Sequence, residues 1–189
     1  QVNSSSAVSY QWSANAGNAI VNAVTVIPTL PSSTYLVTVT NDLGCTAVPS
    51  VVINVNPKPI VSVSGATNIC PGTTTNLTPA TGGTWSSTNP SVATVTNAGV
   101  VTGWSAGTAT FIFTNTSTGC ISNPSTQVTV NPTPIVSISG PSTICISSTT
   151  QLLPSSGGTW VSNNPSIASV NNTGVVTGIS SGNTTFIFT

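Results

Sequence analysis

The chain has 189 residues with one acid, Asp42, one base, Lys58, and neither histidine nor methionine. Proton-transfer catalysis needs groups that this composition lacks, one cation cannot neutralise a nucleic-acid backbone or an anionic membrane surface, and one carboxylate cannot build a calcium site. An enzyme, a nucleic-acid partner, a cofactor and a metal centre are all excluded from the expected roles.

Serine, threonine and asparagine make up 82 of the 189 residues, while 38% are hydrophobic. The valines and isoleucines alternate with Thr and Ser, which reads as folded β-structure rather than a disordered polar chain. No apolar run of about 18 residues could span a bilayer. The start QVNSSSAVSY lacks the basic residues and apolar stretch of a signal peptide, so any export signal is expected outside this segment.

In chain order, SYQWS (9–13) and STYLVTVTNDLGC (33–45) are the first strand signals. NVNPKPIV (54–61) follows, with Pro57 and Pro59, and TVNPTPIV (129–136) repeats it with Pro132 and Pro134. Two prolines within three residues favour extended backbone, so each is read as a short, stiff joint. Between them IVSVSG, TTTNLT, TWSS, ATVT, GVVTG, TATFIFT and TQVTV give about seven short strands separated by Gly, Asn-Pro and Ser clusters. That pattern suits a small antiparallel sandwich.

The dominant signal is an internal repeat that sets position 57 against position 132, position 58 against 133, and so on. Residues 57–114 and 132–189 agree at 36 of 58 positions without a gap, and the same offset carries Cys45 to Cys120, Pro49 to Pro124 and Val55 to Val130. Three units follow: the latter part of one at 1–56, a complete unit at 57–131, and a unit at 132–189 that lacks its last strand. We refer to them as units one, two and three. The expected core is Trp12, Trp85, Trp160, Phe111, Phe113, Phe186 and Phe188. In TATFIFT, Ala109, Phe111 and Phe113 should share one face. Gly99 is read as a positive-φ turn residue and Gly103 as a bulge. For Trp104, which aligns with Ile179, burial in its own unit is favoured over a lateral contact. The sequons at Asn3, Asn76, Asn115, Asn171 and Asn183 carry little weight in a chain so rich in Asn, Ser and Thr.

The string G-T-x-x-x-L at 72–77, W-x-S-x-N-P-S-V-A-T-V at 85–95, G-V-V-T-G at 99–103 and A-G-T-A-T at 106–110 resembles the bacterial immunoglobulin-like group 2 domain. The resemblance covers unit two and unit three as far as it runs. Unit one is more similar to PKD-like or immunoglobulin-like repeats. The resemblance implies an all-β chain of tandem antiparallel immunoglobulin-like β-sandwiches in a linear array. It also implies an extracellular, bacterial cell-surface location, in giant adhesins or filaments such as those exported by the type IX system. The expected function is a shaft giving length and stiffness. The alternative is an adhesion module that itself recognises a glycan or a surface protein.

Four cysteines, Cys45, Cys70, Cys120 and Cys145, in an exported chain without CxxC or histidine point to disulfides rather than zinc. Cys70 and Cys120 are expected at opposite ends of their unit, about 20 Å apart, too far for a bond that needs Cα atoms within about 7 Å. Three pairings stay open: between neighbouring units, within a unit, and between laterally packed chains, the first being favoured. The expected partners are adjacent repeats of the same chain and identical chains bundled side by side, because a neutral surface offers no repulsion. The end at TTFIFT is read as a cut, or as an edge that accepts a strand.

Overall fold

The computed structural model describes residues 7–189, so the sequon at Asn3 lies outside the described residues. Among the described residues regular structure is β-strand apart from one 3-10 turn, Ala14–Ala16, and no helix is long and apolar enough to cross a membrane. Unit one contains β1 (Ala7–Trp12), β2 (Ser32–Asn41), β3 (Thr46–Ala47) and β4 (Ser50–Asn54). The long strand β2 pairs with the other three. Trp12, Ala16, Tyr35 and Val37 form its buried core.

Unit two comprises β5 (Ser62–Val63), β6 (Asn68–Ile69), β7 (Thr74–Thr78), β8 (Gly83–Ser87), β9 (Ala93–Val95), β10 (Val100–Gly103), β11 (Gly107–Ala109), β12 (Phe111–Asn115) and β13 (Val128–Val130). One layer is the sheet β5-β7-β10-β9, and the second holds two smaller sheets, β11-β13-β6 and β12-β8, joined through the chain where β11 runs on into β12. Alternation decides which side chains meet between them: Phe111 and Phe113 are 0% and 1% exposed, whereas Ile112 between them is only half-buried. The core joins Leu77, Ala93 and Val101 of the first sheet to Ile69, Trp85, Phe111, Phe113, Val128 and Val130 of the second. Trp85 lies opposite Phe113 across the β8–β12 ladder, with ring centroids 5.1 Å apart and planes at 60°. Such an edge-on aromatic pair contributes about 1 kcal/mol beyond its buried area.

Unit three repeats this plan with β14 (Ser137–Ile138), β15 (Thr149–Leu153), β16 (Trp160–Ser162), β17 (Ala168–Val170), β18 (Val175–Gly178) and β19 (Phe186–Phe188). Trp160 faces Phe188 at 5.0 Å. The two tryptophans anchor identically, since Trp85 Nε1 donates to the Pro79 carbonyl at 3.0 Å and Trp160 Nε1 to that of Pro154 at 2.9 Å. Gly99 has φ 79°, as its turn requires.

Several local expectations change. The strand expected at IVSVSG (60–65) is only Ser62–Val63, after which the chain leaves the first sheet and forms β6 on the other side of the sandwich. The break falls near Gly65, where a Cβ would stand 2.5 Å from Thr75 Oγ1. Strand β6 pairs with β13 in parallel, so the unit is not wholly antiparallel. Gly103 pairs regularly with Ala93, and is glycine because Ile69 Cδ1 and Val130 Cγ2 would lie 3.1 Å from its Cβ. Trp104 is 59% exposed, its Nε1 donating to Thr94 Oγ1 at 2.9 Å, so it is no core residue.

Unit one also departs in register. Its turn closes from the Asn41 amide to the Cys45 carbonyl, while the matching turn in unit two runs from Asn115 to Cys120 and is one residue longer. Upstream of the turn, Val39 therefore corresponds to Phe113. Tyr10, which faces Val39, takes the place of Trp85. Trp12 is buried two positions further along the strand, opposite Val37, and its Nε1 is satisfied by the Val21 carbonyl at 2.8 Å.

Candidate functional site

No group of three or more His, Cys, Asp or Glu side chains converges among the described residues. The side chains with chemistry left to do are the four cysteines, and among the described residues none is paired with another. They occupy two kinds of turn, and in unit two one turn of each kind stands beside a proline joint.

The first kind carries Cys70. Gly72, at φ 81°, donates its amide to the Gly103 carbonyl at 2.8 Å. Thr73 closes the turn by accepting the Cys70 amide on Oγ1 at 3.0 Å and donating to the Cys70 carbonyl at 2.8 Å. In unit three Ile146 and Ser147 replace Pro71 and Gly72, yet the Ser147 amide still reaches the Gly178 carbonyl at 2.9 Å. Ser147 is held at φ 67°, a conformation that glycine adopts without strain. The turn thus keeps its shape and its exposed cysteine while changing the residues that make it.

The second kind carries Cys120. The Asn115 side chain accepts the amides of Ser117 and Thr118 at 2.9 and 3.0 Å, and Gly119 takes φ 70°. In unit one Asn41 caps the amides of Leu43 and Cys45 in the same way. Asn followed by Gly-Cys is the sequence signal for this turn, because a short amide side chain can stand in for backbone acceptors.

Each turn borders a different joint. Cys120, half-buried, points its Sγ at the Asn56 carbonyl, 3.9 Å away, and Lys58 Nζ donates to Asn123 Oδ1 at 3.3 Å in the same neighbourhood. Pro57 is exposed there and Pro59 half-buried. At the far end, the Asn131 amide donates to the Ile69 carbonyl at 2.8 Å, which sets Cys70, the next residue, beside the second joint. Pro132 and Pro134 are exposed, as is every residue from 131 to 140. Between these ends the chain from Gly107 to Thr114 is extended, pairing with Val130 at one limit and Ile121 at the other. Seven residues of strand span about 23 Å. Cys70 and Cys120 are therefore unable to bond within their unit.

Two contributors escape sequence reasoning. Strand β6 carries no signal of its own, since two residues cannot show a period, and it is what brings Cys70 to Asn131. Ser122 and Ser125, both buried, look like any other serine in this chain. Their hydroxyls accept the amides of Phe113 and Phe111 at 2.9 and 3.1 Å, bridging the stretch around Pro124 where no regular ladder forms.

A family model described as bacterial Ig-like domain (group 2) matches residues 47–119 and 124–189. No curated protein matches the chain. Among solved structures, murine CEACAM1b is similar at 12% identity and TM-score 0.32, over 70% of this chain and 89% of that one. Domains 1–6 of the surface layer protein SbsC give 16% identity and TM-score 0.34, over 95% of this chain and 33% of that one. A Bacteroides ovatus protein, SGBP-B of the mixed-linkage glucan utilization locus, in complex with a mixed-linkage heptasaccharide, gives 13% identity and TM-score 0.29, over 95% of this chain and 53% of that one. The chain thus spans about a third of the SbsC structure and about half of the SGBP-B one.

Proposed function

The chain belongs to the bacterial Ig-like domain (group 2) family, and on that premise we propose that it is a segment of the shaft of a large extracellular adhesin or surface filament. It supplies length and stiffness and packs against copies of itself. The observation that carries this reading is the repeat: the same Trp-bearing strand, Asn-Pro turn and glycine turn build unit two and unit three, and none of those side chains can transfer a proton or hold a metal. The family supports a surface location, and in this reading the segment itself is not the part that recognises a target.

Support for side-by-side packing comes from apolar residues exposed at equivalent positions. Ile60 and Ile135, next to the prolines of the two joints, are 92% and 90% exposed. Trp104 and its counterpart Ile179 are exposed likewise. With a net charge of zero, nothing opposes their association.

Analytical ultracentrifugation with electron microscopy tests the proposal. We expect concentration-dependent association into multi-stranded rods, weakened by replacing Ile60, Ile135 and Trp104 with serine. A chain that stays monomeric at high concentration and instead binds one glycan on an array, in a manner abolished by Trp104→Ser, would replace the shaft with a recognition module.

A further inference from the structure

The two kinds of cysteine turn stand at opposite ends of unit two, and the repeat brings them together. Asn56 and Asn131 are equivalent residues, one at each joint. Unit two shows what its own Cys120 does at the joint before it: the thiol reaches the Asn56 carbonyl at 3.9 Å. A following unit built alike sets the equivalent thiol against the Asn131 carbonyl. The Asn131 amide is already bonded to Ile69, the residue before Cys70. Both cysteines then stand beside the same residue.

We propose that each joint is closed by a disulfide between neighbouring units, formed from the Cys70-type turn of one and the Cys120-type turn of the next. Cys70 pairs with the cysteine one repeat period beyond Cys120, and Cys120 with the one a period before Cys70. Cys145 and Cys45 occupy the same two positions in their own units. Pairing within a unit is barred by the strand length that separates the turns. Metal binding is unsupported, because among the described residues no three His, Cys, Asp or Glu side chains gather at any of the thiols. The turns also keep the cysteine while their other residues change, as at Pro71-Gly72 against Ile146-Ser147.

Bond formation removes one proton and one electron from each thiol. In an oxidising exterior a disulfide-containing oxidant accepts them, two thiols and one oxidised glutathione giving one protein disulfide and two reduced glutathiones. The mechanical purpose of the staple rests on the shaft reading. The bond itself does not, and it is read by a different measurement.

The test completes unit three from the protein's own sequence. The full chain is extended after Thr189 by a copy of residues 115–131, which places a fifth cysteine opposite Cys70. After equilibration in a glutathione redox buffer, digestion without reduction should yield a peptide joining Cys70 to the appended cysteine. Thiol titration should fall from five to three. Cys70→Ser should abolish the linked peptide and leave all four remaining thiols free. Proximity is checked apart from redox chemistry by a short bismaleimide, which should bridge the same two residues in the reduced protein. Amide exchange protection at Trp160 and Phe188 verifies that the extended unit is folded. A folded chain with five free thiols and no bismaleimide bridge would overturn the proposal. So would a Cys70 to Cys120 peptide, or oxidation that gives chiefly covalent dimers through Cys45 or Cys145.

Discussion

Units two and three share 36 of 58 aligned residues, the same turns and the same tryptophan anchor. Their phenylalanine pairs nonetheless live in different surroundings. Phe111 and Phe113 are sealed, while Phe186 and Phe188, on the same face of the same strand, are half-buried. The difference is the stretch from Ile121 to Val130, which lays Val128 and Val130 over the aromatic pair and supplies the serine hydroxyls. Identical aromatic residues on one strand are therefore only as buried as a later strand, here β13, makes them.

The largest expected effect breaks this comparison directly. Phe113→Ala should cost unit two about 3–5 kcal/mol, the usual range for emptying a packed aromatic site. Phe188→Ala should cost unit three roughly half that, since a half-exposed ring loses less area. Amide exchange, resolved by peptide, reports each unit separately, and equal losses would deny the covering role of β13.

Next in size, Ser125→Ala should destabilise unit two by about 1–3 kcal/mol, because the Phe111 amide is left buried without an acceptor. Ser125→Thr, which keeps the hydroxyl, should recover part of that in urea unfolding. In the opposite direction, Thr75→Val and Thr150→Val should each stabilise their unit by roughly 1 kcal/mol. Both hydroxyls are buried without a hydrogen-bond partner, so replacing them removes a desolvation cost at constant volume. Loss of stability at both sites would mean that the hydroxyls are satisfied in solution.

Smaller still, Ser147→Gly should raise the stability of unit three by up to about 1 kcal/mol, and Gly72→Ser should lower that of unit two comparably. Unfolding midpoints in urea compare the two. Last, stability should be flat between about pH 5 and 8, because the chain has no histidine and only one acid and one base, Asp42 and Lys58. A steep change in thermal midpoint across that range would require a coupling the composition does not provide.

Much of this is legible without coordinates. A period of two in TATFIFT identifies Ala109, Phe111 and Phe113 as one face, and Gly99 declares its turn, since these signals are local. The placement of Cys70 and Cys120 at opposite ends also follows from counting strands. Gly103 and Trp104 mislead because their environment is made by residues far along the chain. Gly103 is crowded by Ile69 and Val130, and Trp104 rests its indole on Thr94 at the surface. Residue type groups Trp12 with Trp85, while one residue fewer in the turn before Cys45 moves Tyr10 into that place.

By itself, the sequence determined the all-β class and the repeat period, because composition and spacing act over a few residues or repeat outright. Only the tertiary structure decided that the first strand stops at Val63 and that the next one, β6, crosses over to run parallel to β13. That crossing carries Cys70 to Asn131, and it also fixes which serines serve the amides of Phe111 and Phe113. Pairings of this kind depend on which segment reaches which edge of a closed sandwich. Two-residue strands carry no pattern that could announce it.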